Sequence, residues 1–150
     1  MSSVQVRFRR AREHAQPLPL PKYETSQAAG FDLAADIETE VTLLPLQRQG
    51  IPTGLILELP SGFEGQVRPR SGLALRSGIT CLNSPGTIDA DYRGELVVIL
   101  INLSQSPYTV SRGDRVAQLV VAPVTRAELL EGESLSSTPR DAAGFGSTGR

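Results

Sequence analysis

The sequence predicts an all-β protein built as an antiparallel sandwich or barrel-like fold. Short segments alternate apolar with polar residues, breaks that contain Pro or Gly separate them, and helical periodicity is scarce. At 150 residues the chain is the length of one domain and can bury a sizeable core without disulfides or metals. We find no internal repeat, so one β domain is expected.

The predicted strands begin near the N-terminus, where Val4, Val6 and Phe8 alternate with polar residues. The prolines of Gln16–Pro21 then exclude a central strand and indicate an extended connection. Segment Leu96–Leu100 is apolar throughout, so we expect it to be covered on both faces. The later predicted strands are Phe31–Ala35, Val41–Leu44, Leu55–Leu59, Phe63–Arg68, Glu95–Asn102, Tyr108–Val110 and Val116–Val124.

Helical signals are limited to Ser71–Arg76 and Arg126–Leu130, either of which fits one short helix. From about Glu131 onward the chain is polar, and its last residues are small ones around a single aromatic, Phe145. A segment of that composition cannot bury enough surface to order itself. We therefore predict a β domain over residues 1–131 and a flexible C-terminal arm over residues 132–150, in which Phe145 indicates a function beyond fraying.

Composition excludes several functional classes. With 15 basic and 16 acidic residues the formal charge is −1, which excludes a bulk basic coat for nucleic acid. One Cys rules out an internal disulfide and a Cys-rich metal site. The single His, His14, argues against a His-based metal cluster and a Ser-His-Asp triad. No apolar run approaches about 20 residues, and the N-terminus lacks the apolar region of a signal peptide. We expect a reducing, cytoplasmic location and neither nucleic-acid nor membrane partners.

Two segments have the composition of a phosphate site. Pro69–Gly72 offers a guanidinium, a hydroxyl and backbone N–H groups, although an ordinary turn with a surface Arg remains open. Gly144–Gly149 supplies hydroxyls and glycines but no Gly-Lys pair, so it is not a Walker A loop. Between them in sequence, Arg115 and Gln118 follow a turn and are interpreted as solvent-facing strand positions. Lys22 is the only Lys among the 15 basic residues, and the others are Arg. This excess of Arg fits either phosphate recognition or codon bias.

The segment from Asn83 to Glu95 gathers three carboxylates around an aromatic residue, Tyr92. On a strand, Asp89 and Asp91 would share a face. Paired carboxylates can bind a divalent cation, or one of them can act as a base. A polar loop that contains only an Asp–Arg pair remains the alternative.

Taken in order, five segments resemble the motifs of the homotrimeric deoxyuridine triphosphatases, from about Leu18 to Gly149. The resemblance implies a small antiparallel β-jelly-roll and a homotrimer with active sites shared between subunits. The third motif would come from one subunit, the first, second and fourth from its neighbour, and the arm from the third. The five segments are Ala28–Leu33, Pro69–Leu73, Gly86–Glu95, Gly113–Leu119, and Arg140 with Gly144–Gly149.

The resemblance implies hydrolysis of dUTP to dUMP and pyrophosphate with Mg²⁺. Asp89 would be the catalytic residue, a general base that takes a proton from the water attacking the α-phosphorus. Asp32 would touch Mg²⁺ through water, while the triphosphate holds the ion otherwise. The phosphates would be bound by Arg70, Ser71 and Gly72, with Gln118 close to the α-phosphate.

Base and sugar selectivity would come from the third motif. A hairpin after Asn83, ending at Thr87, Ile88 and Asp89, would read the edge of uracil and leave no room for the methyl group of thymine. Tyr92 would lie under the deoxyribose and block a 2′-hydroxyl. The resemblance therefore implies that UTP and dTTP are rejected as substrates.

The arm would act as a lid that stacks an aromatic ring on uracil and closes over the β- and γ-phosphates. Asp141 and Ala143 stand where the family usually has Gly, and Asp141 brings a negative charge near the expected triphosphate. The arm residues implied in binding are Arg140, Phe145, Gly146, Ser147 and Thr148.

Two other interpretations of the sequence remain. A dCTP deaminase has the same fold and an Arg-Ser pair, but its pattern lacks Gly86–Glu95 and this arm. A non-catalytic nucleotide-binding module of the same fold would not need Asp89, Arg70 and the full arm together.

Overall fold

A computed structural model describes residues 3–144 of the protein. Within that range the chain forms ten strands and one short helix, and the strands pair antiparallel. The all-β prediction is therefore confirmed. The elements are β1 (Arg7–Arg10), β2 (Gly30–Ala34), β3 (Val41–Leu43), β4 (Arg48–Glu58), β5 (Phe63–Arg68), α1 (Ser71–Ser77), β6 (Ile79–Cys81), β7 (Gly86–Ile88), β8 (Glu95–Asn102), β9 (Tyr108–Val110) and β10 (Arg115–Pro123).

Two four-stranded sheets enclose the core. The first has the strand order β1-β4-β8-β6 and the second β2-β10-β5-β7, while β3 pairs with β9. One apolar cluster joins the sheets, with Ile51 and Leu96 from the first and Leu33 and Leu119 from the second, each at most 1% exposed. Burial of one such side chain stabilises the fold by about 1.5–3 kcal/mol. The arrangement is the β-jelly-roll that the resemblance implies.

Some strand boundaries differ from the prediction. β1 pairs with β4 over Arg7–Arg10 rather than spanning Val4–Phe8. The sequence predicts only Leu55–Leu59 for β4, because its first half contains residues that disfavour strands, Gly50 and Pro52. β6 and β7, of three residues each, were not predicted, since Gly78 before β6 and Pro85–Gly86 at the start of β7 indicate breaks rather than strands.

A β-bulge interrupts β4 near its middle. The register with β8 shifts between Pro52 and Ile56, and Gly54 has a φ of 71°, a left-handed value that favours glycine. A Cβ at position 54 would overlap the Asp36 carboxylate. The bulge therefore brings the β4 backbone against a charged side chain.

The expectation that Leu96–Leu100 is covered on both faces is wrong for the single chain. Leu96, Val98 and Leu100 are buried, whereas Val97 and Ile99 on the opposite face are 45% and 38% exposed. The chain therefore carries an apolar stripe on the outside of β8.

The helix predicted at Ser71–Arg76 is present as α1, and Arg126–Leu130 forms none. Residues 123–144 are exposed, and neither a helix nor a strand occurs in 124–144. That segment matches the expected position of the arm, whose boundary and flexibility stay predictions. None of the helices in residues 3–144 has the length and apolar character needed to cross a membrane.

Cys81 is a buried core residue, 3% exposed. Burial raises the pKa of its thiol to about 11. The thiol is therefore protonated near neutral pH and behaves as a small apolar side chain.

Candidate active site

Three polar side chains lie side by side on the outer face of the second sheet. In the register of β2, β10 and β5, Gln118 is paired with both Asp32 and Arg68. Their strand neighbours Leu119 and Val67 are buried. Because side chains alternate along a strand, Asp32, Gln118 and Arg68 point outward.

Two arginines hold Asp32 between them. Arg70 Nε lies 3.0 Å from Asp32 Oδ1, and Arg115 Nη1 lies 3.0 Å from Asp32 Oδ2. Arg70 also donates from Nη1 to the Arg115 carbonyl oxygen at 3.1 Å. We call Asp32, Arg70 and Arg115 the arginine–aspartate cluster. Its surplus positive charge and its oriented guanidinium groups suit an oxyanion such as phosphate.

Arg115 is a member of the cluster that the sequence analysis placed facing solvent without giving it a binding role. In a regular strand, residues three apart face opposite sides, so Arg115 would point away from the face of Gln118. A β-bulge between Arg115 and Ala117, in the pairing with β2, leaves Val116 and Ala117 both buried. Arg115 and Gln118 therefore share the outer face. Two adjacent apolar residues between polar ones were the available signal.

The segment that follows β5 adds a hydroxyl and backbone groups beside the cluster. Gln118 Nε2 donates to the Pro69 carbonyl oxygen at 3.0 Å, which fixes the chain just before Arg70. Arg70 is extended and precedes α1, whose first residues are Ser71 and Gly72. Because the first N–H groups of a helix have no acceptor within it, those of Ser71 and Gly72 are available to a ligand.

A second group of predicted residues lines one cleft. Ile88, at the end of β7, packs against the core, and the exposed Asp89 follows it. The Tyr92 N–H donates to the Asp89 carbonyl oxygen at 3.1 Å, and the Tyr92 hydroxyl donates to the Glu95 carbonyl oxygen at 3.1 Å. We call this the Asp89 cleft. It has a volume of about 210 Å³ and is lined by Thr87, Ile88, Asp89, Tyr92, Glu95 and Val97.

Gly94 lets Tyr92 fold back along the chain. A Cβ at position 94 would overlap the Tyr92 hydroxyl oxygen. Any larger residue at position 94 would displace the ring or break its hydrogen bond to Glu95. The close approach therefore fixes one wall of the Asp89 cleft.

Two local predictions about this segment are wrong. Asp89 and Asp91 do not share a strand face, because β7 ends at Ile88 and both residues follow it in a turn. The segment after Asn83 is not a hairpin, because β6 pairs with β8 whereas β7 pairs with β5. Asn83 is instead exposed in a connection that crosses from the first sheet to the second.

Within residues 3–144, side-chain hydrogen bonds do not join the arginine–aspartate cluster to the Asp89 cleft. Arg140 is exposed, and its Nε donates to the Ala143 carbonyl oxygen at 3.0 Å. The structure thus forms two separate groups and does not bring Arg140 to either. The predicted residues Phe145, Gly146, Ser147 and Thr148 lie outside the described residues.

The pKa of Tyr108, on β9, is affected by charges at and near the cluster. Its pKa is raised by burial first and by the negative charge of Asp114 second, while the positive charge of Arg70 opposes both. Tyr108 therefore stays protonated and neutral at physiological pH.

Comparison with known proteins identifies the family. The sequence model of the dUTPase family matches residues 16–149. The chain is 58% identical over 147 residues to the deoxyuridine 5'-triphosphate nucleotidohydrolase of Anaeromyxobacter sp. (strain Fw109-5), covering 98% of this chain and 99% of that relative. The chain belongs to the dUTPase family. Another dUTPase relative, the protein of the same name from Cytophaga hutchinsonii, is 60% identical over 131 residues, 87% of this chain and 85% of its own.

Solved dUTPase structures show the same fold. A mutant dUTPase of Staphylococcus bacteriophage 80alpha with dUpNHpp superposes with a TM-score of 0.85 at 24% identity, covering 97% of this chain and 99% of the phage chain. A mutant dUTPase from phage phi11 of S. aureus, described with a structural Mg(II) ion, gives a TM-score of 0.76 at 24% identity, covering 89% and 99%. At this identity the likeness establishes the fold.

The dUTPase motifs divide between the two groups of the site. The first, second and fourth motifs supply Asp32, Arg70, Arg115 and Gln118 on the outer face of the second sheet and in the segment after it. The third motif supplies the Asp89 cleft. The motif residues of one chain therefore form two separate groups on its surface.

Proposed function

We propose that this protein is a dUTP diphosphatase that hydrolyses dUTP to dUMP and pyrophosphate, keeps uracil out of DNA and supplies dUMP for dTTP synthesis. The observation that carries the proposal is the division of its motif residues into a cationic cluster and a cleft with an exposed carboxylate. Hydrolysis of the bond between the α- and β-phosphates, a phosphoanhydride, needs cationic groups that bind the phosphates and a group that takes a proton from water. The dUTPase relatives support the same reaction.

Asp89 is proposed as the general base. Its backbone is held by the buried side of Ile88 and by the hydrogen bond from Tyr92, while its carboxylate takes part in none of the ion pairs within residues 3–144. A fixed backbone with an uncommitted carboxylate suits proton transfer from the water that attacks the α-phosphorus. A positioned base contributes about 10²–10⁴-fold to the rate.

The cluster side is proposed to bind the triphosphate. Arg70, Ser71 and Gly72 would hold phosphate oxygens, and Gln118 would lie close to the α-phosphate. Arg70 is already oriented by its bond to Asp32, so less side-chain freedom is lost on binding. Charge neutralisation by these groups supplies the rest of the rate.

Asp32 fits a role beside Mg²⁺. Each of its carboxylate oxygens accepts one guanidinium hydrogen bond, and each retains a further lone pair for the water ligands that Mg²⁺ keeps. In residues 3–144, groups of three or more His, Cys, Asp or Glu side chains that could hold an ion do not occur. The ion would thus depend on substrate oxygens. When bound, Mg²⁺ supplies charge neutralisation on the triphosphate.

Selectivity is proposed to come from the Asp89 cleft and the connection before it. Asn83, Thr87 and Ile88 would read uracil, and Tyr92 would lie under the deoxyribose and exclude a 2′-hydroxyl. The Tyr92 ring is held by its hydroxyl bond to Glu95 and by the close approach to Gly94. A wall fixed in this way can reject a larger sugar by collision.

A homotrimer with shared sites is proposed as the assembly. Val97 and Ile99 form an exposed apolar stripe on β8, which subunit contacts would cover. Val97 also lines the Asp89 cleft, so an interface there would bring a neighbouring subunit close to Asp89. The cluster of a second chain could then complete the site that one chain leaves in two halves.

The C-terminal segment is proposed to be a lid in a cytoplasmic enzyme. Phe145 would stack on uracil, and the polar arm residues would close over the β- and γ-phosphates. The exposure of residues 123–144 leaves that segment accessible for such a movement. The arm residues proposed to bind substrate are Arg140, Phe145, Gly146, Ser147 and Thr148.

Product analysis tests the proposal. Purified protein with Mg²⁺ is incubated separately with dUTP, dCTP, dTTP and UTP. We expect dUMP and pyrophosphate from dUTP alone. Ammonia from dCTP would indicate a deaminase, and binding of dUTP without turnover of any nucleotide would indicate a non-catalytic module.

A further inference from the structure

Four charged side chains outside the proposed catalytic set form a network at one end of the first sheet. Arg12 Nη1 lies 2.9 Å from Glu95 Oε1, and Arg12 Nη2 lies 3.5 Å from Asp36 Oδ2 and donates to the Asp36 carbonyl oxygen. Arg112 Nε lies 2.9 Å from Asp36 Oδ1. We call Arg12, Asp36, Glu95 and Arg112 the Arg12 network. Its charges balance, and the Asp36 side chain is only 11% exposed.

Glu95 connects this network to the Asp89 cleft. Its carboxylate oxygen Oε1 accepts hydrogen bonds from Arg12 at 2.9 Å and from the Gly54 N–H at 2.8 Å. Its backbone carbonyl oxygen accepts the Tyr92 hydroxyl at 3.1 Å, and the Tyr92 N–H in turn reaches the Asp89 carbonyl oxygen. A path of single hydrogen bonds therefore runs from Arg12 to the segment that carries Asp89.

The β4 bulge holds this connection in place. Gly54 donates its N–H to Glu95, and its carbonyl oxygen accepts the Ala11 N–H at 2.9 Å. Ala11 directly precedes Arg12, so the backbone next to Arg12 is hydrogen-bonded to the bulge. Glu95 and Ala11, the residue before Arg12, are both hydrogen-bonded to Gly54, which limits how far either side of the Arg12–Glu95 pair can shift.

We propose that Arg12 is a positioning residue for the reaction: by holding Glu95 it fixes the C-terminal anchor of residues 89–94, and thereby Tyr92 and Asp89. The inference rests on the proposed roles of Asp89 and Tyr92. Arg12 acts through Glu95 and does not touch the reacting atoms.

Loss of the guanidinium should alter the rate more than the binding of substrate. Without Arg12, the partly buried Glu95 carboxylate retains only the Gly54 N–H among its side-chain partners in residues 3–144 and can turn toward water. The start of β8, which carries the carbonyl that accepts the Tyr92 hydroxyl, then loses a side-chain tether and can shift. A displacement of about 1 Å at reacting groups can lower a rate about 100-fold. The arginine–aspartate cluster lies on the other sheet and keeps its contacts.

Steady-state kinetics on the full chain test the inference with Arg12→Ala, Arg12→Lys and two controls. For Arg12→Ala we expect kcat for dUTP to fall about 10-fold or more, with KM within about 3-fold. Selectivity for dUTP over UTP, measured as the ratio of kcat/KM, should fall as well because Tyr92 forms the wall against the 2′-hydroxyl. Arg12→Lys keeps a donor near Glu95 and should recover part of kcat and of selectivity.

The controls separate positioning from general stability. Arg112→Ala removes a similarly buried guanidinium from the same network that bonds Asp36 and Gln16 instead of Glu95. Arg7→Ala removes an exposed ion pair with Glu58 from the same N-terminal segment. Both should keep kcat and selectivity near those of the unchanged protein, although Arg112→Ala should lower the Tm. Equal kinetics in Arg12→Ala and Arg112→Ala would overturn the inference.

Glu95→Gln provides a second variant if Arg12→Ala does not fold. Its amide oxygen can still accept the Gly54 N–H, but the ion pair is lost. We expect the same fall in kcat and in selectivity, and unchanged values would refute the inference. Asp89→Asn is measured in parallel. If this variant retains turnover, the proposed role of Asp89 as the base is wrong. If it is inactive while the Arg12 and Glu95 variants have normal kinetics, only the positioning role of Arg12 is refuted.

Discussion

The carboxylate in the arginine–aspartate cluster and the carboxylate in the Asp89 cleft have opposite environments. Asp32 is partly buried, and each of its oxygens accepts a guanidinium at 3.0 Å. Asp89 is exposed, and only its backbone carbonyl is engaged, by the Tyr92 N–H. The difference separates two tasks. Groups that bind phosphate gain from counter-charges that orient them beforehand, whereas a base must keep its oxygen available for a proton.

The largest expected effect comes from Asp89→Asn. The amide keeps the shape of the side chain but cannot take a proton, so kcat should fall by about 10²–10⁴-fold. The proposed trimer and the affinity for dUTP should persist, measured by sedimentation and by calorimetric titration. Near-native activity would show that the uncommitted carboxylate has another purpose.

Removal of residues 140–150 should have the next largest effect. The deletion leaves every strand intact, so the folding transition should be unchanged, while turnover should fall about 100-fold because water is no longer excluded. Thermal unfolding and kcat are measured on the same sample. Normal hydrolysis by the shortened chain would show that cluster and cleft suffice without a lid.

A test of the cluster compares Arg115→Ala with Arg68→Ala. Both residues point outward from the second sheet, but Arg115 bonds Asp32 whereas Arg68 bonds Gln66. Loss of one charge-assisted hydrogen bond costs about 1.5–3 kcal/mol, so kcat/KM for dUTP should fall about 10-fold or more in Arg115→Ala. Arg68→Ala should lie near the unchanged protein. Equal values would mean that Arg115 is not part of the phosphate site.

The smallest expected effect is that of Tyr92→Phe. The variant keeps the ring and loses only the hydroxyl bond to Glu95. One neutral hydrogen bond is worth about 1 kcal/mol, and Glu95 keeps its bonds to Arg12 and Gly54 in this variant. We therefore expect kcat to fall only a few-fold, less than in Arg12→Ala, while KM stays constant. A rise in KM instead would place the phosphate-binding function partly in the cleft.

Sequence alone predicted the parts of the fold that depend on local pattern. Segments such as Phe31–Ala35 and Glu95–Asn102 are rich in apolar residues and form strands as predicted. The motif residues Asp32, Arg70 and Gln118 lie close together in the structure. The first half of β4 was not predicted, because Gly50 and Pro52 have poor strand propensity. It forms because its pairing with β8 outweighs that propensity.

The residues that were missed depend on distant partners. Arg12 meets Glu95, 83 positions away in sequence, and no local pattern marks such a pair. Arg115 reaches Asp32 only because a bulge breaks the alternation of β10. The roles of Phe145 and of the other residues outside 3–144 stay predictions.

The bulge in β10 also decides how the cluster tolerates a change in chain length. Val116 and Ala117 together occupy the place of one inward residue, so deletion of either would restore a regular alternation. Arg115 and Gln118 would then stand two positions apart in sequence and would still face outward together. Regular pairing with both residues kept would instead turn Arg115 toward the core. The outer face therefore tolerates the loss of one residue at the bulge, but not the loss of the bulge alone.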